Sequence, residues 1–137
     1  MTIIKSMSVG DGDLCYVYHN SNSFTIIDCN LTGERDDEII RELKEKSANK
    51  SVKRFISTHP DQDHISGIEK LDAHGLINNF YVVANNAHKE ERTVSFNHYC
   101  DLRDGGKAFY LFKNCKRKWM NAKSTESAVM PRLNPMA

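Results

Sequence analysis

The 137-residue chain lacks any apolar run approaching the roughly 20 residues that a membrane helix requires, so no transmembrane span is expected. Its opening, Met1-Thr2-Ile3-Ile4-Lys5, also lacks the charged start, long apolar stretch and small-residue cleavage site of a secretory signal. The expected location is therefore cytoplasmic. No excess of either charge is present: Lys plus Arg is 19 and Asp plus Glu is 18, a net charge of +1. That balance excludes a global electrostatic footprint for nucleic acid or an anionic membrane and leaves only local polyanion contacts. The four cysteines, Cys15, Cys29, Cys100 and Cys115, include no CxxC pair. A zinc knuckle or a disulfide framework is thereby not indicated, and buried or idle thiols are expected. Internal repeats are absent as well. A composition 39% hydrophobic and 27% charged fits a single soluble domain.

The first third predicts strands over Ile3 to Val9, Leu14 to Tyr18 and Phe24 to Cys29. The turn formers Gly10-Asp11-Gly12-Asp13 and Asn20-Ser21-Asn22-Ser23 separate them, which reads most simply as an antiparallel meander. From Glu34 the period changes to helical: Ile39, Ile40 and Leu43 form an apolar stripe, with acidic residues at the start and lysines at the end, as the macrodipole favours. A strand over Val52 to Thr58 leads into the polar loop His59-Pro60-Asp61-Gln62-Asp63-His64. A short helix around Ile65 to His74, stopped by Gly75, and a strand over Phe80 to Ala84 follow. Farther on, His88 to Arg103 reads as an amphipathic helix, and Ala108 to Phe112 as either a strand or a buried helical turn. Ala122 to Ala137 has the composition of a disordered tail, leaving 1–121 as the domain. Alternating strands and helices define an α/β (α+β) class with the polar loop at the carboxyl end of a strand, where open α/β sheets place their chemistry.

That loop carries the chemical signal. His59, Asp61, Asp63 and His64 place two imidazoles and two carboxylates within six residues, a mixed N/O donor set suited to divalent ions of borderline hardness. Two ions about 3.5 to 4 Å apart can acidify a bridging water and clamp the oxygens of a displaced group, which points to metal-assisted hydrolysis. The competing reading is a polar turn whose carboxylates cap the following helix.

The pattern His59-x-Asp61-x-Asp63-His64 resembles the metallo-β-lactamase fold hydrolases, whose signature is HxHxDH at a strand end; Asp61 stands where the second histidine is usual. The HxDxDH form is similar to the branch that contains the hydrolase domain of competence (DNA-uptake) proteins. Val9-Gly10-Asp11-Gly12-Asp13, Ile26-Ile27-Asp28-Cys29, Thr58 and Gly67 fit the same branch, with Asn30 where a glycine is common. The resemblance spans roughly residues 5 to 85. It implies an αββα sandwich of which this chain supplies the amino-terminal half. It also implies one or two zinc ions, with manganese or iron as alternatives favoured by the harder oxygen donor at Asp61. Relatives use later histidines and a bridging aspartate after a glycine. Downstream of His64 only His74, His88 and His98 remain, each read as a surface or packing residue, and no Gly-Asp pair occurs. A shortened form is the expectation.

The leading reading is thus a metal-dependent hydrolase with His59, Asp61, Asp63 and His64 as ligands and Asp63 as the residue that orients the nucleophile and takes its proton. Its bond would be a phosphodiester or another ester-like linkage; the substrate is unknown. The alternative is a catalytically incomplete module that binds metal or a partner. Asp28 is read as a carboxylate bonding the backbone beneath the loop rather than as a ligand, while Asp11 and Asp13 are either hairpin-turn residues or neighbours of the site. Lys113 to Lys123 around Trp119 is a local basic segment that offers nucleic-acid contact. Half a sandwich would leave apolar strands such as 24–27 and 80–83 to be covered by self-association or a partner chain.

Overall fold

The computed structural model describes residues 1–9 and 12–114; Asp11, Cys115, the remainder of the basic segment with Trp119, and the tail at 122–137 lie outside them. The chain begins with three antiparallel strands, β1 (Ile3–Ser6), β2 (Cys15–Tyr18) and β3 (Ser23–Ile27), with Ile4 opposite Val17 and Tyr16 opposite Ile26. The expected meander is what forms. A two-residue strand β4 (Cys29–Asn30) leads to α1 (Asp36–Ser47). There the buried side of the expected stripe, Ile39, Ile40 and Leu43, faces the sheet core, and Asp36, Asp37 and Glu38 occupy the first turn.

Next come β5 (Val52–Ser57), α2 (Gln62–Ile65), α3 (Ile68–Ala73), β6 (Asn79–Val83), α4 (Val94–Asp104) and β7 (Ala108–Leu111). The six-stranded sheet has the order β1-β2-β3-β5-β6-β7, with β3, β5, β6 and β7 parallel. Each parallel step moves the same way across the sheet through a helical crossover, so right-handed connections put the crossover helices on one face. Phe24, Ile26, Phe55, Phe80, Val82 and Tyr110 point into the core on that face, where Phe80 stacks on Phe55 at 5.8 Å and meets Tyr99 edge-on at 5.8 Å. Alternate residues turn to the opposite face, among them Thr25, Arg54, Tyr81 and Phe109, all buried, with the last two rings stacked at 5.2 Å. One sheet with one helical layer is the α/β class expected, and matches part of an αββα sandwich.

Two elements depart from the sequence reading. The helix expected over Ile65 to His74 starts earlier, at Gln62, and is broken: Ser66 is extended and Gly67 is left-handed (φ 85°). The break arises because the chain at Ile65, the last helical residue, and Ser66, which leaves the helix, bridges Cys29 and Asn30 in parallel fashion. The second difference is at α4, which begins at Val94 instead of His88. Thr93 caps it by accepting from the Phe96 N–H at 3.0 Å, a capping signal stronger than the apolar periodicity before it. His88 accordingly lies in an exposed loop and His74 ends α3, while His98 on α4 bonds Asp72 at 2.8 Å. Ala108 to Leu111 resolves as strand.

Beneath β1 and β2, the Tyr16 hydroxyl donates to Glu42 at 2.8 Å, and Lys5 pairs with the same carboxylate at 2.7 Å. Burial, then the hydrogen bond to Glu42, then that residue's charge push the Tyr16 phenol up to about 12. Its folded value lies above the ordinary value of about 10, so its contribution to stability is complete below pH 10 and is lost as pH rises toward 12. Urea unfolding across that window should show a loss on the order of 2 kcal/mol. Tyr16→Phe should flatten this part of the slope, and an equal slope in that variant would contradict the assignment.

Candidate metal centre

The site is built where β3 and β5, adjacent and parallel, both end. Asp28 follows β3 in a left-handed turn (φ 57°) that aspartate tolerates better than most residues. Its backbone N–H donates to the Ile56 carbonyl at 3.0 Å, so the turn is locked to β5. This geometry drives the Asp28 side chain under the start of the polar loop, where it is 3% exposed. There Oδ1 accepts from the Thr58 backbone N–H at 2.9 Å, and Oδ2 accepts from the Thr58 hydroxyl at 2.5 Å. His64 Nδ1 lies 3.1 Å from the same Oδ2, and His59 Nδ1 lies 2.8 Å from Thr58 Oγ1. The two imidazoles sit against each other with ring centroids 3.7 Å apart.

The opposite nitrogens of both rings meet carboxylates of the loop. His59 Nε2 is 3.7 Å from Asp61 Oδ2, and His64 Nε2 is 3.7 Å from Asp63 Oδ1. His64 is nearly enclosed, its side chain 12% exposed, whereas those of Asp61 and Asp63 are 69% and 51% exposed. Donors about 2.1 Å from one tetrahedral ion lie about 3.4 Å from one another, so both imidazole–carboxylate spacings need only a few tenths of an ångström of adjustment. Asp28, His59 and His64 also offer ligand atoms within 4.8 Å of one another. Asp61 and Asp63 fall outside that group, so the arrangements that could take a divalent cation are the two imidazole–carboxylate pairs and the Asp28, His59 and His64 donors. The capping reading accounts for the loop less well: Asp61 occupies the N-cap position of α2, yet its side chain makes no capping hydrogen bond.

The loop is clamped from two sides. Lys89 Nζ donates to the Pro60 carbonyl at 2.9 Å, Thr93 donates to the Gln62 side chain at 2.9 Å, and Ser95 accepts from the Gly67 N–H at 3.0 Å. From the β1–β2 hairpin, Gly12 presses so closely on the loop that a Cβ there would lie 2.3 Å from the Asp63 carbonyl oxygen. The same hairpin brings Asp13 Oδ2 to 3.5 Å from His64 Nδ1. Cys29, next to Asp28, is fully buried, and burial followed by the Asp28 charge pushes its thiol well above the usual range, so it packs as an apolar group and is no thiolate donor.

Sequence reasoning placed Asp28 beneath the loop but overlooked its contact with His64 and the part played by Thr58. Spacing cannot reveal either, because 36 residues separate Asp28 from His64. The only signal was an aspartate ending one apolar strand and a threonine ending its neighbour. Among the described residues, none of the other four histidines joins the group.

A mixed sheet whose parallel strands end in a clustered imidazole–carboxylate loop defines an α/β protein with residues that could hold a metal ion. The family model of the metallo-beta-lactamase superfamily matches residues 10–96, and the chain belongs to that metal-dependent superfamily. No curated protein matches the chain. Among the described residues, no helix is long and apolar enough to cross a membrane.

Gly67 sets the exit of the loop. A Cβ there would meet Leu31 side-chain atoms from 2.5 Å, at a backbone conformation already adverse for other residues. Gly67→Ala should therefore cost about 2 to 4 kcal/mol in urea unfolding; a loss below about 0.5 kcal/mol would show that the α2–α3 break is not constrained in this way.

Proposed function

We propose that the chain is a metal-dependent hydrolase in which His59, Asp61, Asp63 and His64 hold one or two divalent ions and the bond broken is a phosphodiester or similar ester. The observation that carries this reading is the pairing of each imidazole Nε2 with a loop carboxylate at 3.7 Å. A divalent ion at these donors supplies Lewis-acid polarisation and makes a water more acidic. Asp63, half-exposed and beside His64, would orient a water and accept its proton. His64, enclosed between Asp28 and Asp63, keeps its ring fixed during the reaction. Lys89, anchored on the Pro60 carbonyl, brings a positive charge to the edge of the loop, which favours an anionic substrate such as a phosphodiester over a neutral ester. Asp61 supports membership of the HxDxDH branch. Zinc is the proposed ion, and the harder oxygen donor at Asp61 makes manganese or iron effective competitors.

A second reading, a module that holds metal or a partner without turnover, is favoured by one observation. Among the described residues no third imidazole reaches the cluster.

The test has two parts. Zinc and manganese retained by the full chain after dialysis should fall about tenfold or more in His59→Ala and in Asp63→Ala, and metal content unchanged in both would overturn the ligand assignment. Chelator-sensitive cleavage of bis(p-nitrophenyl) phosphate by the metal-loaded chain supports the hydrolase; retained metal with no turnover on phosphodiester, nucleic-acid and lactam substrates supports the second reading.

A further inference from the structure

The inner nitrogens of the two histidines differ in how they reach the same carboxylate. His64 Nδ1 faces Asp28 Oδ2 directly at 3.1 Å, whereas His59 Nδ1 faces Thr58 Oγ1 at 2.8 Å, and that hydroxyl is bonded in turn to Asp28 Oδ2. A carboxylate only accepts, so the single hydroxyl hydrogen of Thr58 is committed to Asp28. The threonine oxygen can then only accept from His59, which requires the hydrogen of the neutral ring to be on Nδ1. The same acceptor logic puts the hydrogen of His64 on Nδ1. Both Nε2 lone pairs are consequently bare, on the side where Asp61 and Asp63 lie.

We propose that Thr58 is a positioning residue that relays the Asp28 carboxylate to His59 and so sets which nitrogen of that ring is free to bind metal. Asp28 is then an orienting group and not a ligand: Oδ1 takes the Thr58 N–H, and Oδ2 takes the Thr58 hydroxyl and His64. A methyl-bearing hydroxyl suits the task because the Thr58 backbone is already pinned to Asp28, leaving the side chain one arrangement that satisfies both neighbours. The proposal rests on the reading that His59 and His64 bind metal, but the relay itself exists in the metal-free chain and is measured there.

The experiment records long-range proton–nitrogen correlations of the imidazoles in the metal-free full chain at about pH 8, above the ordinary histidine value of about 6.5. Wild type and Thr58→Ser should both show His59 and His64 with hydrogen on Nδ1. Thr58→Val, which keeps the shape and loses the hydroxyl, should shift His59 toward the Nε2–H form and leave His64 unchanged; Thr58→Ala serves if the valine variant does not fold. His59 mainly in the Nε2–H form in wild type, or unmoved by loss of the hydroxyl, would overturn the proposal. Zinc titration supplies the second readout: affinity should drop about 10 to 100-fold in Thr58→Val and be restored in Thr58→Ser. Failure of wild type to bind zinc while the Thr58-dependent tautomer is present would overturn the metal reading and support the relay.

Discussion

The Asp28 carboxylate is the interaction on which the site depends. It is buried at the end of β3 and satisfied by three donors from the neighbouring strand end and loop: the Thr58 N–H, the Thr58 hydroxyl and the His64 ring. A buried carboxylate left unpaired is strongly destabilising, so the requirement to satisfy Asp28 dictates how the polar loop sits. The parallel pairing of β3 with β5 makes the arrangement available, since it brings the two strand ends side by side. Two-strand adjacency is thus converted into the orientation of two imidazoles.

Around this point the fold acts as a clamp. The loop following His59 is short of regular structure, because α2 has only four residues and ends where Ile65 and Ser66 bridge β4. Its position comes from outside: Lys89, Thr93 and Ser95 hold it from the segment entering α4, and Gly12 packs on it from the β1–β2 hairpin. Such cross-links leave the Asp61 and Asp63 side chains exposed while enclosing His64. An exposed carboxylate pair above two fixed rings lets ligands approach donors whose own geometry is already set, which lowers the ordering cost of binding.

Periodicity made much of this legible. The turn formers that bound the strand at Phe24, the stripe Ile39, Ile40 and Leu43 that encodes one buried helical face, and the density of donors between His59 and His64 were all readable from the residues alone. What periodicity could not encode was the interruption at Ser66 and Gly67, because it follows from a tertiary bridge to β4 that overrides the local helical preference. The late start of α4 was hidden differently: His88 to Arg92 reads as helical by composition, yet the loop is held by Lys89 on Pro60 and the helix waits for the Thr93 cap. The links from Asp28 to Thr58 and His64 cross 30 and 36 residues, so only the sheet order reveals them.

In the proposed site the outward Nε2 atoms and the loop carboxylates bind the ion, with Asp28 beneath them as an orienting group. Zinc-edge anomalous diffraction from crystals of the zinc-loaded chain measures this directly. A peak about 2.1 Å from Nε2 of His59 or His64 and from a carboxylate oxygen of Asp61 or Asp63 is expected, with Asp28 still bonded to Thr58. A peak coordinated by Asp28 and an Nδ1 atom, or no ordered peak at the loop, would contradict it.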